Sequence, residues 1–258
     1  MMSDTAPLRV ELEAEGRLLR LTLARPKQNI VDTVMLSALQ TALAGHKEIP
    51  DLTAVLLQAD GPNFSFGASV QEHMPDQCAA MLRTLHGLIL DMLTYPLPIL
   101  VAIRGYCLGG GLEVACAGSL LFAAPDSRFA QPEIQLGVFA PAASCLLPER
   151  IGQALAEDLL LSGRSLDAEE ARDAGLVYAI SAEPEQAAKH YIEAHLLPRS
   201  AYTLRHAVAA ARAGYVERIR QNLDWVEKYY LEQLMRGSDP REGLLSFLQK
   251  REPVWKNQ

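Results

Sequence analysis

The chain has 258 residues, enough for one large domain or one domain with an appendage. It is 49% hydrophobic and 21% charged, as ordinary globular proteins are, and its net charge of -7 argues against a nucleic-acid partner. No apolar run reaches the length of a membrane span, and the start "MMSDTAPLRVELEAEG" lacks a charged segment followed by an apolar one, so neither a signal peptide nor a membrane anchor is expected.

Along the chain, "PLRVELEAEGRLLRLTLAR" holds two alternating apolar runs split at Glu15-Gly16, which predicts a β-hairpin. After the break at "PKQN", helical spacing starts at Asp32, a candidate N-cap. "TAVLLQAD" (53–60) reads as a buried strand, "GPNFSFGAS" as a glycine-containing loop, and the stretch from about Asp76 to Thr94 as a long helix. The rhythm then recurs: "PLPILVAIRG" is a strand, "CLGGG" a turn, "LEVACAG" the start of a helix near Gly111, and "SLLFAAPD" a strand. "SRFAQPEIQLG" reads as strand then loop. "IGQALAEDLLLSG" and "SLDAEEARDAGL" read as helices, the second capped at Ser165 or Asp167, and "VYAIS" as a strand. This predicts an α/β or α+β core of stacked turns without a nucleotide-binding fingerprint.

From about Pro198 the chain reads as helical to its end, with Leu223, Val226, Tyr230 and Leu234 as an apolar stripe at helical spacing. Such a tail packs either across another subunit or as a lid on its own core. The expected division is a core over 1–197 and a helical, oligomerising region over 198–258. Cys78, Cys107, Cys116 and Cys145 show no CxxC spacing and sit in apolar company, which predicts buried free thiols in a reducing cytosol.

Four features could carry chemistry. The run Cys107-Leu108-Gly109-Gly110-Gly111-Leu112-Glu113 places bare backbone between a strand and a helix, where N–H groups and the helix dipole favour a negative oxygen. That suits a phosphate or a developing oxyanion, and equally a tight packing turn. Glu113 falls in the first helical turn among apolar neighbours, either buried for acid–base work or serving the dipole. Glu133 follows Pro132 after a buried strand and points into a cleft or into solvent. "FSFGAS" (64–69) is a second glycine loop able to supply a second N–H to one oxygen. The histidines form no set and no metal motif occurs, so no metal is expected.

Taken together and in order, "ARPKQNIVD", "FSFGAS", "PILVAIRGYCLGGGLEVACAG", "FAQPEIQLG", "IGQALAEDLLLSGRSLDAEEARDAGLV" and "FLQKREPVW" resemble the crotonase (enoyl-CoA hydratase/isomerase) superfamily over nearly the whole chain. The resemblance implies an α/β fold, a spiral of ββα turns with a C-terminal helical region, assembled as a homotrimer or hexamer in the cytoplasm. It implies an acyl-CoA substrate, with coenzyme A part of the substrate and no separate cofactor. Carried over by position, it puts the oxyanion-hole N–H donors on Ala68 and Gly110 and the two hydratase glutamates on Glu113 and Glu133. It makes Lys27, Ser65 and Gly67 contact candidates for coenzyme A. Retention of both glutamates favours a hydratase. The alternatives are a ring-opening hydrolase or isomerase on the same fold, and a protein that binds acyl-CoA without turnover.

Departures from the family pattern narrow the expectation. Gly67-Ala68 is followed by Ser69 where the family commonly has aspartate, and "GVFAPAASCLLP" puts Pro141 where it has a glycine whose N–H helps hold the catalytic water. Proline has no N–H and stiffens the pocket wall, so Ser69 and Pro141 are counted among the substrate-binding positions. These segments look closest to the subgroup that hydrates a cyclic conjugated diene in anaerobic benzoyl-CoA degradation, with a general β-oxidation hydratase as the alternative.

Overall fold

The computed structural model describes residues 6–258; the first five residues, on which the no-leader expectation partly rests, lie outside the described residues. The predicted hairpin is present: β1 (Leu8–Glu13) and β2 (Leu18–Leu23) pair antiparallel across Ala14 to Arg17. Asp32 caps α1 (Thr33–His46), its carboxylate accepting the Met35 N–H at 2.9 Å. β3 (Ala54–Ala59), α2 (Cys78–Leu93) and β4 (Ile99–Ile103) follow where expected.

The spiral is legible in what comes next. From β4 the chain steps into a short second strand, β5 (Tyr106–Leu108), then α3 (Gly110–Cys116), and repeats with β6 (Leu120–Ala123) and β7 (Arg128–Ala130). Each turn contributes one strand to each of two sheets. The larger sheet has the order β1-β2-β3-β4-β6-β9, parallel from β2 onward, with β9 at Ala179–Ile180. The smaller runs β5-β7-β8, with β8 (Ser165–Asp167) antiparallel to β7. The loop after β3 joins the smaller sheet by a single parallel bridge, Ser65 to Cys107. That bridge sets the two glycine loops side by side.

Several segments differ from the sequence expectation. The stretch after Pro132 is a 3-10 helix over Pro132–Leu136 and not a loop. A helix absent from the sequence reading, α4 (Pro141–Ile151), precedes α5 (Gln153–Ser162). α6 (Ala168–Asp173) is capped by Asp167, with Glu170 completing a capping box, while Ser165 lies in β8. α7 (Pro184–Tyr191) covers the outer face of the large sheet, where Leu18, Leu56, Leu100 and Phe122 are buried against Ala188 and Ile192. The opposite face, with Leu21, Leu57, Val101 and Leu121, meets the main core. Burial on both faces is why β3, β4 and β6 read as near-continuous apolar runs.

α8 is one continuous helix (Ala201–Glu232), running through Gly214, and α9 (Ser238–Leu248) ends the helical tail; residues after Leu248 are not helical, contrary to expectation. Leu223, Val226 and Tyr230 are buried, and α8 packs on α2 and α4 of its own chain. All four cysteines are buried and free. No helix among the described residues is long and apolar enough to cross a membrane.

Candidate active site

The site forms where the two glycine loops meet the N-termini of α3 and α4. Each glycine of the run 109–111 has its own physical reason. Gly109 sits at φ +49 and ψ -128, a conformation essentially confined to glycine, and its N–H donates to Ala130 while its carbonyl accepts from Glu113 N–H. A Cβ on Gly110 would lie 3.1 Å from the Ala68 nitrogen, and one on Gly111 would collide with the Ser65 side chain at 2.5 Å. Close packing therefore explains glycine at 110 and 111, and backbone conformation explains it at 109. The N–H groups of Ala68 and Gly110 stand close together, and neither has an acceptor among the described residues.

Ser65 is fully buried, and its hydroxyl donates to the Asn29 carbonyl at 2.8 Å and accepts the Gly67 N–H at 3.1 Å. It holds the loop's shape, with its one O–H committed to Asn29. Lys27 is exposed, with φ +88, and its carbonyl accepts from Asn63 Nδ2. Ser69 uses its carbonyl to accept from His73 Nδ1 at 2.8 Å.

A cleft of about 910 Å³ opens here, walled by Phe66, Gly67, Ala68, Glu133 and Val138, with His73 and the C-terminal Trp255 on its rim. Lys27, Ser65, Ser69 and Pro141 are not part of this wall. Pro141 is buried as the first residue of α4. Glu113 lies behind the wall, only 3% exposed.

Burial raises the Glu113 carboxyl above its ordinary value, opposed by the Ala143 N–H, which donates to Oε1 at 2.8 Å, then by His86 and the Ala142 N–H. Glu133 is partly exposed to the cleft, yet its carboxyl lies deep among protein atoms. Its pKa is pushed up to about 8, first by that loss of solvent and then by the charge of Glu113. Two buried carboxyls, one raised by the charge of the other, are fitted to hold one proton between them. The α4 N–H groups favour the ionised form of Glu113, while burial and the Glu113 charge raise Glu133, so the shared proton is placed on Glu133.

This has a consequence for stability. The folded pKa of Glu133, about 8, lies above its ordinary 4.5, so between those values the native state binds the proton more tightly than the unfolded chain. Its contribution is fully present below 4.5, is lost as pH rises to about 8, and is constant above. Glu133→Gln removes that loss. The Tm advantage of the variant over the wild type is expected to grow from pH 5 to pH 8 and then level off; an advantage independent of pH would contradict the assignment.

Sequence reading missed three residues around the pair. Gln131 is buried, and with its amide nitrogen turned to Glu133 it donates to both carboxyl oxygens, at 3.0 and 3.3 Å. His73 presents its Nδ1–H to Ser69, and burial lowers its pKa, so it stands neutral in the cleft wall. Arg150 of α4 ties down the C-terminal carbonyls of α3, donating to Cys116 at 2.6 Å and to Gly118, which fixes the helix that carries Glu113. Only Gln131, next to the Pro-Glu pair, carried a local sequence signal.

The family model described as enoyl-CoA hydratase/isomerase matches residues 13–258. The chain is 60% identical over 257 residues, covering 100% of both chains, to a cyclohexa-1,5-dienecarbonyl-CoA hydratase of Thauera aromatica. It is 28% identical over 261 residues to a carnitinyl-CoA dehydratase of Salmonella heidelberg, covering 96% of this chain and 98% of the other. A crystal structure of an enoyl-CoA hydratase/isomerase from Pseudoalteromonas atlantica superposes with a TM-score of 0.83 at 27% identity, over 96% of this chain and 99% of that one. A structure from Mycobacterium paratuberculosis gives 0.87 at 24% identity, over 99% and 100%, and shows the shared fold.

Proposed function

The chain belongs to the enoyl-CoA hydratase/isomerase family, and we propose that it adds water to cyclohexa-1,5-diene-1-carbonyl-CoA to give 6-hydroxycyclohex-1-ene-1-carbonyl-CoA. The observation that carries this reading is the full-length 60% identity to a hydratase named for that thioester. The two neighbouring carboxyls, Glu133 in the cleft wall and Glu113 behind it, are the chemistry such a hydration needs.

In the proposed mechanism the thioester oxygen accepts the Ala68 and Gly110 N–H groups, which bind it more tightly as charge develops there. Glu113, held as a carboxylate by the α4 N–H groups, takes a proton from water while the water oxygen bonds to the β carbon. The electron pair of the attacked double bond moves onto the thioester and, through the second double bond, to the ring carbon opposite the new hydroxyl. Glu133 delivers its proton to that carbon, which makes the addition 1,4 in sense. Proton transfer from Glu113 to Glu133 then restores the pair. Gly67 shapes the loop at the coenzyme A end, the buried Ser65 holds that loop from behind, and Lys27 and Ser69 flank it as contact positions for coenzyme A. Pro141 stiffens the acyl end through its place at the start of α4.

Trp225 and Tyr229 stack 5.1 Å apart on the outer face of α8, 64% and 47% exposed, an apolar patch that supports an assembled form, homotrimer or hexamer. The same reading puts the protein in the cytoplasm, with coenzyme A part of the substrate and no further cofactor. The reading is tested by comparing kcat/KM on the dienoyl-CoA with that on crotonyl-CoA. A higher value on the diene is expected; a far higher value on crotonyl-CoA would make this a straight-chain hydratase.

A further inference from the structure

Resting on the reading of the cleft as an acyl-CoA site, we infer that His73 is a substrate-binding residue: its Nε2 accepts a hydrogen bond from an N–H or O–H group of the bound thioester. Three observations lead there.

First, the two ring nitrogens have different surroundings. Nδ1 lies 2.8 Å from the Ser69 carbonyl, which can only accept, so Nδ1 carries the ring proton. Burial keeps the ring neutral, which leaves a lone pair on Nε2. Nε2 has no hydrogen-bond partner among the described residues and is open to solvent, unlike the sealed Nε2 of His86. Among the described residues, His73 is the one histidine that lines the cleft, in the same wall as Ala68 and Glu133. The ring therefore turns a bare acceptor toward the space a thioester would fill. His46 makes the same ring-to-carbonyl bond, to Ala42 at 2.7 Å, but at the end of α1 and outside the cleft. Such a bond is only an anchor; the cleft position distinguishes His73.

Second, the ring is held in place before any ligand arrives. It belongs to the short 3-10 turn Gln71–His73, just beyond the Ala68 loop. The neighbouring Glu72 accepts the Thr33 N–H and the Thr33 hydroxyl, each at 3.0 Å, which pins the turn to the N-terminus of α1. The turn also packs against α9. A fixed acceptor loses little freedom on binding, so its hydrogen bond can discriminate between ligands.

Third, filling the cleft changes the balance at Nε2. While the cleft is open, water satisfies the lone pair. A thioester displaces that water from a wall that also holds the apolar Val70 and Val138. An acceptor left bare there weakens binding, and a donor on the ligand restores it. The proposed ligands carry two kinds of donor: the amide N–H groups of the coenzyme arm, and the hydroxyl that hydration creates on the ring.

The test compares the wild type with His73→Leu, which removes the acceptor, and His73→Gln, which keeps one near the Nε2 position. Binding of cyclohexanecarbonyl-CoA, which has the coenzyme arm but no hydroxyl and no double bond to hydrate, is measured by calorimetry. KM is measured for dehydration of 6-hydroxycyclohex-1-ene-1-carbonyl-CoA. Leucine is expected to weaken one or both by about 10-fold, the size of one hydrogen bond, and glutamine to recover most of that loss. A loss on both ligands assigns the donor to the coenzyme arm; a loss on the hydroxy thioester alone assigns it to the hydroxyl. Unchanged values on both overturn the inference, and so does an equal loss in the two variants, which would mark the shape of the ring. If the wild type neither hydrates nor dehydrates these thioesters, the hydratase reading fails, and calorimetry with the hydroxy thioester in place of KM still decides His73. Should a variant misfold, wild-type protein labelled with 15N-histidine gives the answer. The His73 Nε2 resonance moves on adding the hydroxy thioester, and an unmoved resonance overturns the inference.

Discussion

Glu133→Gln is expected to lower kcat by roughly 10²- to 10⁴-fold, the range for loss of a positioned general acid, with KM little changed. The amide keeps the size and polarity of the side chain but cannot deliver a proton at the ring carbon. Because Glu133 has a pKa of about 8, the wild-type kcat should hold through neutral pH and decline as pH rises through about 8, where the acid ionises. The variant's residual activity should not show that decline. Glu113→Gln should cause a loss of similar size by removing the base. Combining the two should cost less than the product of the single losses, since each group is useless without the other. Wild-type-like turnover in either single variant would remove the proposed roles.

Gly109→Ala should be nearly as damaging although it changes no polar group. The added Cβ would stand 2.4 Å from Glu133 Oε1 and 3.4 Å from its carboxyl carbon, so the carboxyl must move. The backbone there, at φ +49 and ψ -128, adds strain on the order of 1–3 kcal/mol for a non-glycine residue. A displaced acid loses its alignment, and a kcat loss of about 10²-fold is expected. Gly16→Ala separates the two effects. Gly16 also has positive φ, +85, but an added Cβ there meets nothing within 4 Å. That variant should lose stability and keep its kcat. Equal kcat in Gly109→Ala and Gly16→Ala would mean that the carboxyl position does not matter.

Local structure was legible wherever one segment carried its own reason. The hairpin followed from alternation about Glu15-Gly16, and α1 from Asp32 as a cap. α4 was hidden because Pro141 and Pro148 read as breaks, whereas proline is tolerated in the first helical turn and the helix here also accommodates the second. The end of the tail misled in the opposite way: helical composition continues past Leu248 but the helix does not. The site was legible as parts. Two glycine loops and two carboxylates stood in the sequence; what joins them is the Ser65–Cys107 bridge and the meeting of α3 with α4, both long-range. The resemblance made Ser65 a contact candidate; its structural part, donating to the Asn29 carbonyl and accepting the Gly67 N–H, is long-range and was not legible.

The central claim is hydration of a ring diene thioester in the 1,4 sense, and the structure of the product tests it most directly. The dienoyl-CoA should be incubated with the protein in D2O containing H2¹⁸O, and the product examined by mass spectrometry and NMR. The proposed mechanism predicts one ¹⁸O-labelled hydroxyl, an intact ring, and deuterium introduced at the ring carbon opposite the hydroxyl-bearing one. A ring-opened product, or deuterium on the carbon that bears the thioester, would contradict it.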